Sequence, residues 1–327
     1  MEYTEELARL LIDQELTRVE ARHDSYYAVA TGLSSYADLI EGNAGEANLA
    51  VQRLLSTGSG EAMNALATHW SKVLGHDAQS MTQAARLGAK AANRIGYAIE
   101  AAKVQNLEIA VVCAAECEAA VAGSVITFGA SLSIVEPALA LARGRSQSAV
   151  DGCHRQIFSD LASLRSDPSV AALPTIVTDL ASGVGGGTGS GGGQDTGRAW
   201  GGSATDPGRA WGGSLPAPGT GGTTLRVDHA EHERAAGRLR EVAVEVWGTT
   251  AGTIQGCQGD HNNAANSGAL GAAVAGLLGP VLEDLSRATT EFGAHLDGAL
   301  ANAIEQISLD QQSMDDGLKQ KMSELDR

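Results

Sequence analysis

Apolar residues return every three or four positions along most of this chain, the spacing that keeps one face of an α-helix in a core. In the N-terminal half, Leu7, Leu10, Leu11, Leu16 and Val19 predict a helix over residues 2–27. A second helix is expected over about 26–55, weakened by Gly32, Gly42 and Gly45, one of which is a candidate turn. Residues 56–60 read Ser-Thr-Gly-Ser-Gly, a break. Ser59 or Gly60 can cap the next helix, and Glu61 suits its first turn. From Ala62 through Leu66, Trp70, Val73, Leu74, Met81, Ile95 and Ile99 to Val111 and Val112 the three-and-four spacing persists for roughly fifty residues, a rod-like element, with Gly75-His76-Asp77 loosening it but not ending it. Pro137 and Gly144 are expected to interrupt the next apolar helix. An amphipathic stretch over about 146–164 ends at Asp167-Pro168, and Pro174 opens a short final segment.

Residues 182–224 break the pattern. They are Gly- and Ser-rich, with little to bury, and read as a flexible tether. Inside them Gly-Arg-Ala-Trp-Gly-Gly-Ser occurs twice, at 197–203 and 208–214. Two copies are too few for a stacked repeat fold. The bland account is duplication in a tolerant linker. The functional one makes Trp200 and Trp211, each beside an Arg, short docking motifs.

Beyond the tether, Asp228 is placed to cap a helix running to about Ile254, with Ala235, Leu239, Val242, Val246 and Thr249 on one face and Trp247-Gly248 near its end. Residues 256–263 have turn chemistry. Pro280 is expected as the first residue of a last helix carrying Val281, Leu285, Ala288, Phe292, Leu296, Ile307 and Leu318. Two such helices form a hairpin that needs another hairpin, or the first half, to cover its stripes. The expected fold is therefore all-α. An elongated bundle over 1–181 is joined by the Gly-rich tether of 182–224 to a helical-hairpin domain over 225–327.

Composition narrows the function. Among 327 residues the net charge is −16 and the pI about 4.8, which opposes nucleic-acid binding and adhesion to anionic membranes. Cys113, Cys117, Cys153 and Cys257 form no Cys-x-x-Cys pair and read as small buried hydrophobes. The acidic N-terminus lacks a cleavable signal pattern. The apolar run of 119–135 is short and polar for a bilayer span and reads as a bundle helix. Its insertion by an oligomer is the alternative reading. No phosphate loop, dinucleotide loop or nucleophile elbow is present. Gly187-Thr188-Gly189-Ser190-Gly191 is linker composition. His229 and His232, three apart, have no second ligand cluster, and His69 beside Trp70 reads as a packed residue. No catalytic residue, metal or cofactor is expected, and the chain reads as a non-enzyme.

The first half resembles the helical N-terminal domains of actinobacterial type VII (ESX) secretion substrates, relatives of the Trp-x-Gly and Pro-Pro-Glu families. Gly58-Ser59-Gly60-Glu61-Ala62 entering a helix, Trp70 within it, and the Ala-rich continuation to Lys103 carry that resemblance. The second half is similar to the small Trp-x-Gly-like secreted hairpins, through Val227-Asp228, a Leu239-centred helix, a Gly-rich middle and a long last helix. The resemblance implies a secretion-associated protein acting by helix–helix assembly, as helper, chaperone-like component or substrate. Its partner would be a small helical Trp-x-Gly-like protein or a second copy. It would be cytoplasmic before export and then secreted or cell-surface. Trp70, Trp247, Gly248, Trp200 and Trp211 are the candidate partner-binding residues. The family motif is replaced here by Trp247-Gly248 with no spacer. The family's export signal, Tyr followed four residues later by an acid, is missing: no Tyr lies beyond Tyr97, and Gln311 and Gln312 stand in its place.

Overall fold

The computed structural model describes residues 8–9, 11–13, 16–127, 132–185 and 228–325. The regular elements among them are helical, as the periodicity requires. They are α1 (His23–Thr57), α2 (Glu61–Lys72), α3 (Gln79–Thr127), α4 (Leu132–Arg165), α5 (Pro168–Gly185), α6 (His229–Glu245), α7 (Ala251–Ala265), α8 (Gly268–Ala294) and α9 (Ala301–Leu325). Three π-helical segments join helices end to end: π1 (Val73–Ala78) after α2, π2 (Val246–Thr250) after α6 and π3 (His295–Leu300) after α8. Most of the tether, residues 186–227, lies outside the described residues, and with it Trp200 and Trp211.

Several expected boundaries are corrected. No helix runs through 2–27, because residues 17–22 are not helical. Side chains from elsewhere take their backbone groups: Asn106 donates to the Thr17 carbonyl (2.8 Å), Thr17 N–H donates to Ser146 Oγ (3.1 Å) and Arg22 N–H to Ser267 Oγ (3.1 Å). α1 runs through Gly32, Gly42 and Gly45 without a turn. At Gly32 a Cβ would lie 2.5 Å from Cys257 Sγ, so the glycine admits α7 to close contact. Pro137, Pro174 and Pro280 all lie inside helices, and Gly144 ends nothing. At Pro280 the lost hydrogen bond, worth about 3 kcal/mol in an isolated helix, is outweighed by burial on both sides, of Val274 and Leu278 before it and Val281, Leu282 and Leu285 after. Residues 256–263 are helical because Ile254, Cys257, His261 and Ala264 form a buried three-and-four stripe among polar neighbours. The turn falls instead at Asn266-Ser267, and Gly268 comes next at φ 90, a conformation that glycine adopts at little cost and other residues rarely do.

The break at 58–60 is as expected. Gly60, at φ 131, is the residue before α2 and gives no side-chain cap. Asp228 does cap α6, its carboxylate accepting the Glu231 N–H.

The helices form two compact units, and both draw on each side of the tether. The 1–181 and 225–327 division is therefore one of sequence, not of packing. The first unit takes residues 1–32, 87–167 and 256–282. Tyr26, Ile95, Ile99, Ile157, Leu161 and Leu278 are wholly buried in it. An adjoining cluster sets Leu11 and Leu16 against Ala110, Cys113, Cys117 and Ala142. Arg94 pairs with Asp160 (3.0 Å), and Tyr27 donates to Glu100 (2.6 Å). The second unit takes 33–86, 168–255 and 283–327. Its core holds Leu33, Tyr36, Ile40, Trp70, Met81, Leu239, Phe292 and Ile304. Here α6 packs on α9 and π3, and α5 on π3. Tyr36 and Thr289 share a buried hydrogen bond of 2.7 Å, and Asn43 donates to Thr250 (2.9 Å).

Candidate functional site

All three π segments lie in the second unit, and each puts one polar residue inside. These are Asp77 in π1, Thr250 in π2 and His295 in π3, each 1% exposed or less. Their cause is legible in the buried positions: 66, 70, 74 and 78; 242, 246, 250 and 254; 288, 292, 296, 300 and 304. Each step of four overshoots a turn of 3.6 residues, so a straight helix would carry the later positions about 40° per step off the core. A π turn absorbs the extra residue and holds the stripe in place. Such turns recur at functional sites, and here the polar residue in each has a defined partner.

Asp77 accepts from His76 Nδ1 at 2.8 Å, and burial raises its carboxyl above the usual range. Thr250 is held by Asn43. His295 meets His69 of α2, Nε2 to Nε2, at 2.9 Å, so one ring donates and the other accepts. Burial lowers the pKa of both rings. His295 falls to about 4, driven first by desolvation and then by His69, with Lys72 adding to it and the Leu180 backbone opposing. Both rings are therefore neutral at pH 7. Lys72 itself is tied to Asp179 at 2.7 Å.

The pair forms the polar end of an open cleft of about 390 Å³. Ala62, Ala65 and Leu66 of α2 form one wall, and Ala299, Ala303 and Ile307 of π3 and α9 the other. The chain on each side of the tether is anchored nearby, through Leu180 beside His295 and through His229, whose Nδ1 lies 2.7 Å from Ser308 Oγ. Two neutral imidazoles with no hydroxyl or thiol nucleophile among the lining residues do not make a nucleophile–base pair. Small apolar walls suit the insertion of apolar side chains.

The candidate partner-binding residues separate. Trp70 is wholly buried, with its indole N–H donating to Asn48 Oδ1 at 3.0 Å, so it is a core residue of this unit and faces no outside partner. Trp247 is 40% exposed. Its ring lies over Gly293 and its N–H donates to the Thr290 carbonyl at 3.3 Å. Gly248 is exposed, with open space around it. Trp247-Gly248 sits inside π2, in mid-course of a continuous helical run and away from the hairpin turn. A Cβ at Gly293 would meet Trp247 Nε1 at 2.5 Å. Gly293→Ala is therefore expected to swing the indole into water. A red shift of tryptophan emission with helix content unchanged checks this, and an unshifted spectrum counts against the stacked placement.

His229 and His232 do not converge: His229 is exposed, and His232 is buried with Nδ1 on the Asp228 carbonyl. Among the described residues no group of three or more His, Cys, Asp or Glu is placed to hold a metal ion. The four Cys are free and buried. Burial pushes the thiols of Cys113, Cys153 and Cys257 up to about 11, far from reactive thiolates. Of the 119–135 stretch, residues 128–131 lie outside the described residues. Among those described, one helical run, Gly268–Ser313, is long and apolar enough to cross a membrane. Val274, Leu285, Phe292 and Leu296 within it are buried, and 39% of its apolar window is buried inside the structure.

The His69–His295 pairing was invisible in the sequence, since 226 residues separate the two rings. The run of four-residue steps into His295 was the signal available. No known family, curated protein or solved structure matches the chain.

Proposed function

We propose that this chain is a non-enzymatic, type VII secretion-associated protein that works by helix packing and carries its partner hairpin in the same polypeptide. The observation that supports the reading is the interleaving of the two halves. In the first unit Cys257 of α7 lies under Gly32 of α1, and in the second Thr289 of α8 meets Tyr36 of α1. In this reading the hairpin occupies the place that a small Trp-x-Gly-like partner would fill, and the tether keeps it at high effective concentration. The chain then serves as a helper or structural component. No Tyr lies beyond Tyr97 in the sequence, and in this reading export goes through a protein that carries the family's Tyr signal.

Two measurements test the reading. A protease site inserted within 186–227 and cut to completion is expected to leave both fragments in one particle on size exclusion; separation overturns the pairing. In an actinobacterial host, the chain is expected in the culture filtrate only when a type VII apparatus is intact. Equal amounts with the apparatus disrupted sink the secretion assignment.

A further inference from the structure

The cleft between α2 and α9 is apolar surface that the described residues leave open. Ala62, Ala65 and Ala303 on its walls are exposed, Ile307 is half-buried, and its volume is about 390 Å³. Concave apolar sites with a few polar groups are where single apolar ligand groups bind. The polar end narrows the chemistry. Two neutral imidazoles joined by one hydrogen bond retain one N–H and one bare nitrogen between them. The Leu180 backbone favours the proton on His295, so the bare nitrogen falls to His69 Nδ1, on the exposed ring. The matching occupant is an apolar ring with a single N–H donor, the description of a tryptophan indole.

Of the four Trp in the chain, Trp70 is wholly buried and Trp247 lies over Gly293. The other two, Trp200 and Trp211, belong to residues 186–227, and the chain departs for that segment and returns from it beside the cleft. α5 ends at Gly185, about 7–8 Å of helix past Leu180 at the His295 end. His229, the first residue of α6, sits on Ser308, next to Ile307 at the other end. From His295 to Ile307 is about 18 Å of helix. Trp200 is 15 residues beyond Gly185, and Trp211 is 18 before His229. A Gly/Ser-rich chain of either length spans a root-mean-square distance of about 20–25 Å, so both indoles have the cleft within reach. Charge favours the approach weakly. Residues 186–227 carry three Arg against two Asp, in a chain of net charge −16. Around the cleft, Glu61 is exposed beside Ala62, Lys72 is paired with Asp179, and Asp297 and Glu305 are paired with Arg240.

We propose that this cleft is occupied from within the chain. An indole of the repeated Gly-Arg-Ala-Trp-Gly-Gly-Ser motif, Trp200 or Trp211, lies between α2 and α9 with its N–H on His69 Nδ1. The volume suits one indole at a time, so the two copies of the motif are alternatives. Tethering gives each an effective concentration on the order of millimolar, so a contact that is only millimolar by itself is about half filled. The second copy of the motif then has a use, since it raises the local supply of indole about twofold. The inference goes beyond the secretion reading and stands or falls without it.

The test uses the full chain. Subtracting the fluorescence of a Trp200→Phe/Trp211→Phe double variant isolates the emission of the two tether indoles. That emission is expected to lie to the blue of a water-exposed indole, and acrylamide is expected to quench it at about half the free rate or less. Ala65→Lys and Ala303→Lys each set an ammonium on one wall. Both positions are exposed, so helix content is expected to stay unchanged. Quenching is expected to rise about twofold, to the free rate. Three results would overturn the proposal. The first is fully exposed tether indoles in the unmodified chain. The second is protection that survives both lysine substitutions, which places the indoles elsewhere. The third is protection that vanishes on dilution to nanomolar chain, which assigns the cleft to the tether of a second copy.

Discussion

Replacing Trp70 by alanine is expected to destabilise the second unit by about 3–5 kcal/mol, the range for emptying a large aromatic site in a core. The side chain is wholly buried on α2, one turn before π1, and its N–H satisfies Asn48, itself 1% exposed. Two costs add, the lost apolar burial and a stranded Asn48 oxygen. Trp70→Phe separates them: it keeps most of the ring, loses the hydrogen bond and is expected to cost about 1–3 kcal/mol. Urea unfolding monitored by circular dichroism checks both. If Trp70→Ala unfolds at the wild-type midpoint, Trp70 is no core anchor. The partner-binding role that the sequence points to would then be the better account.

The second large effect is a loss of stability in mild acid. His295 has its folded pKa depressed from 6.5 to about 4. Below pH 6.5 the unfolded chain takes up a proton that the folded chain refuses, until the pH reaches about 4. Stability therefore falls as pH drops through that window, by about 3 kcal/mol at its lower end. His69 and His261, both lowered by burial, act in the same direction. Asp77 and Asp284 have raised pKa values and act in the opposite sense, holding stability at low pH and losing it as pH rises through the carboxylate range. His295→Gln can still donate to His69 but cannot titrate. Its urea midpoint is expected to change less between pH 7.5 and 5 than that of the unmodified chain. An equal change in both removes His295 as the titrating group.

Helix type was legible in the sequence almost throughout, because periodicity is repeated many times along each element. Punctuation was less so. Pro137, Pro174 and Pro280 are strong local breakers, yet each is carried inside a helix, and at Pro174 and Pro280 the buried residues on both sides, Leu173 and Ile176 at the first and Leu278 and Val281 at the second, outweigh one missing hydrogen bond. The turn expected at 256–263 rested on Gly, Asn and Asp composition, while the buried stripe through Cys257 and His261 decided the outcome. The non-helical passage at 17–22 depends on Asn106, Ser146 and Ser267, and nothing local announces side chains that arrive from so far along the chain. The same distance hides the His69–His295 pair. Trp70 was visible as a notable residue. Whether it faces inward or outward depends on Asn48 and the core around it, which its own neighbourhood in sequence does not reveal.

The interleaving of segments has a consequence for how the chain is made. The first unit closes only when residues 256–282 arrive and the second only with 283–327. At about 5–20 residues per second, the roughly hundred residues between the end of α5 and the end of that last piece of the first unit take on the order of 5–20 seconds to synthesise. For that interval the finished α1 carries uncovered on the ribosome the face of Val29, Gly32 and Tyr36 that Cys257, Leu285 and Thr289 meet in the folded chain. A nascent chain in that state competes between waiting and sticking to its neighbours. The acidic composition of the whole chain is well suited to tip that competition toward waiting.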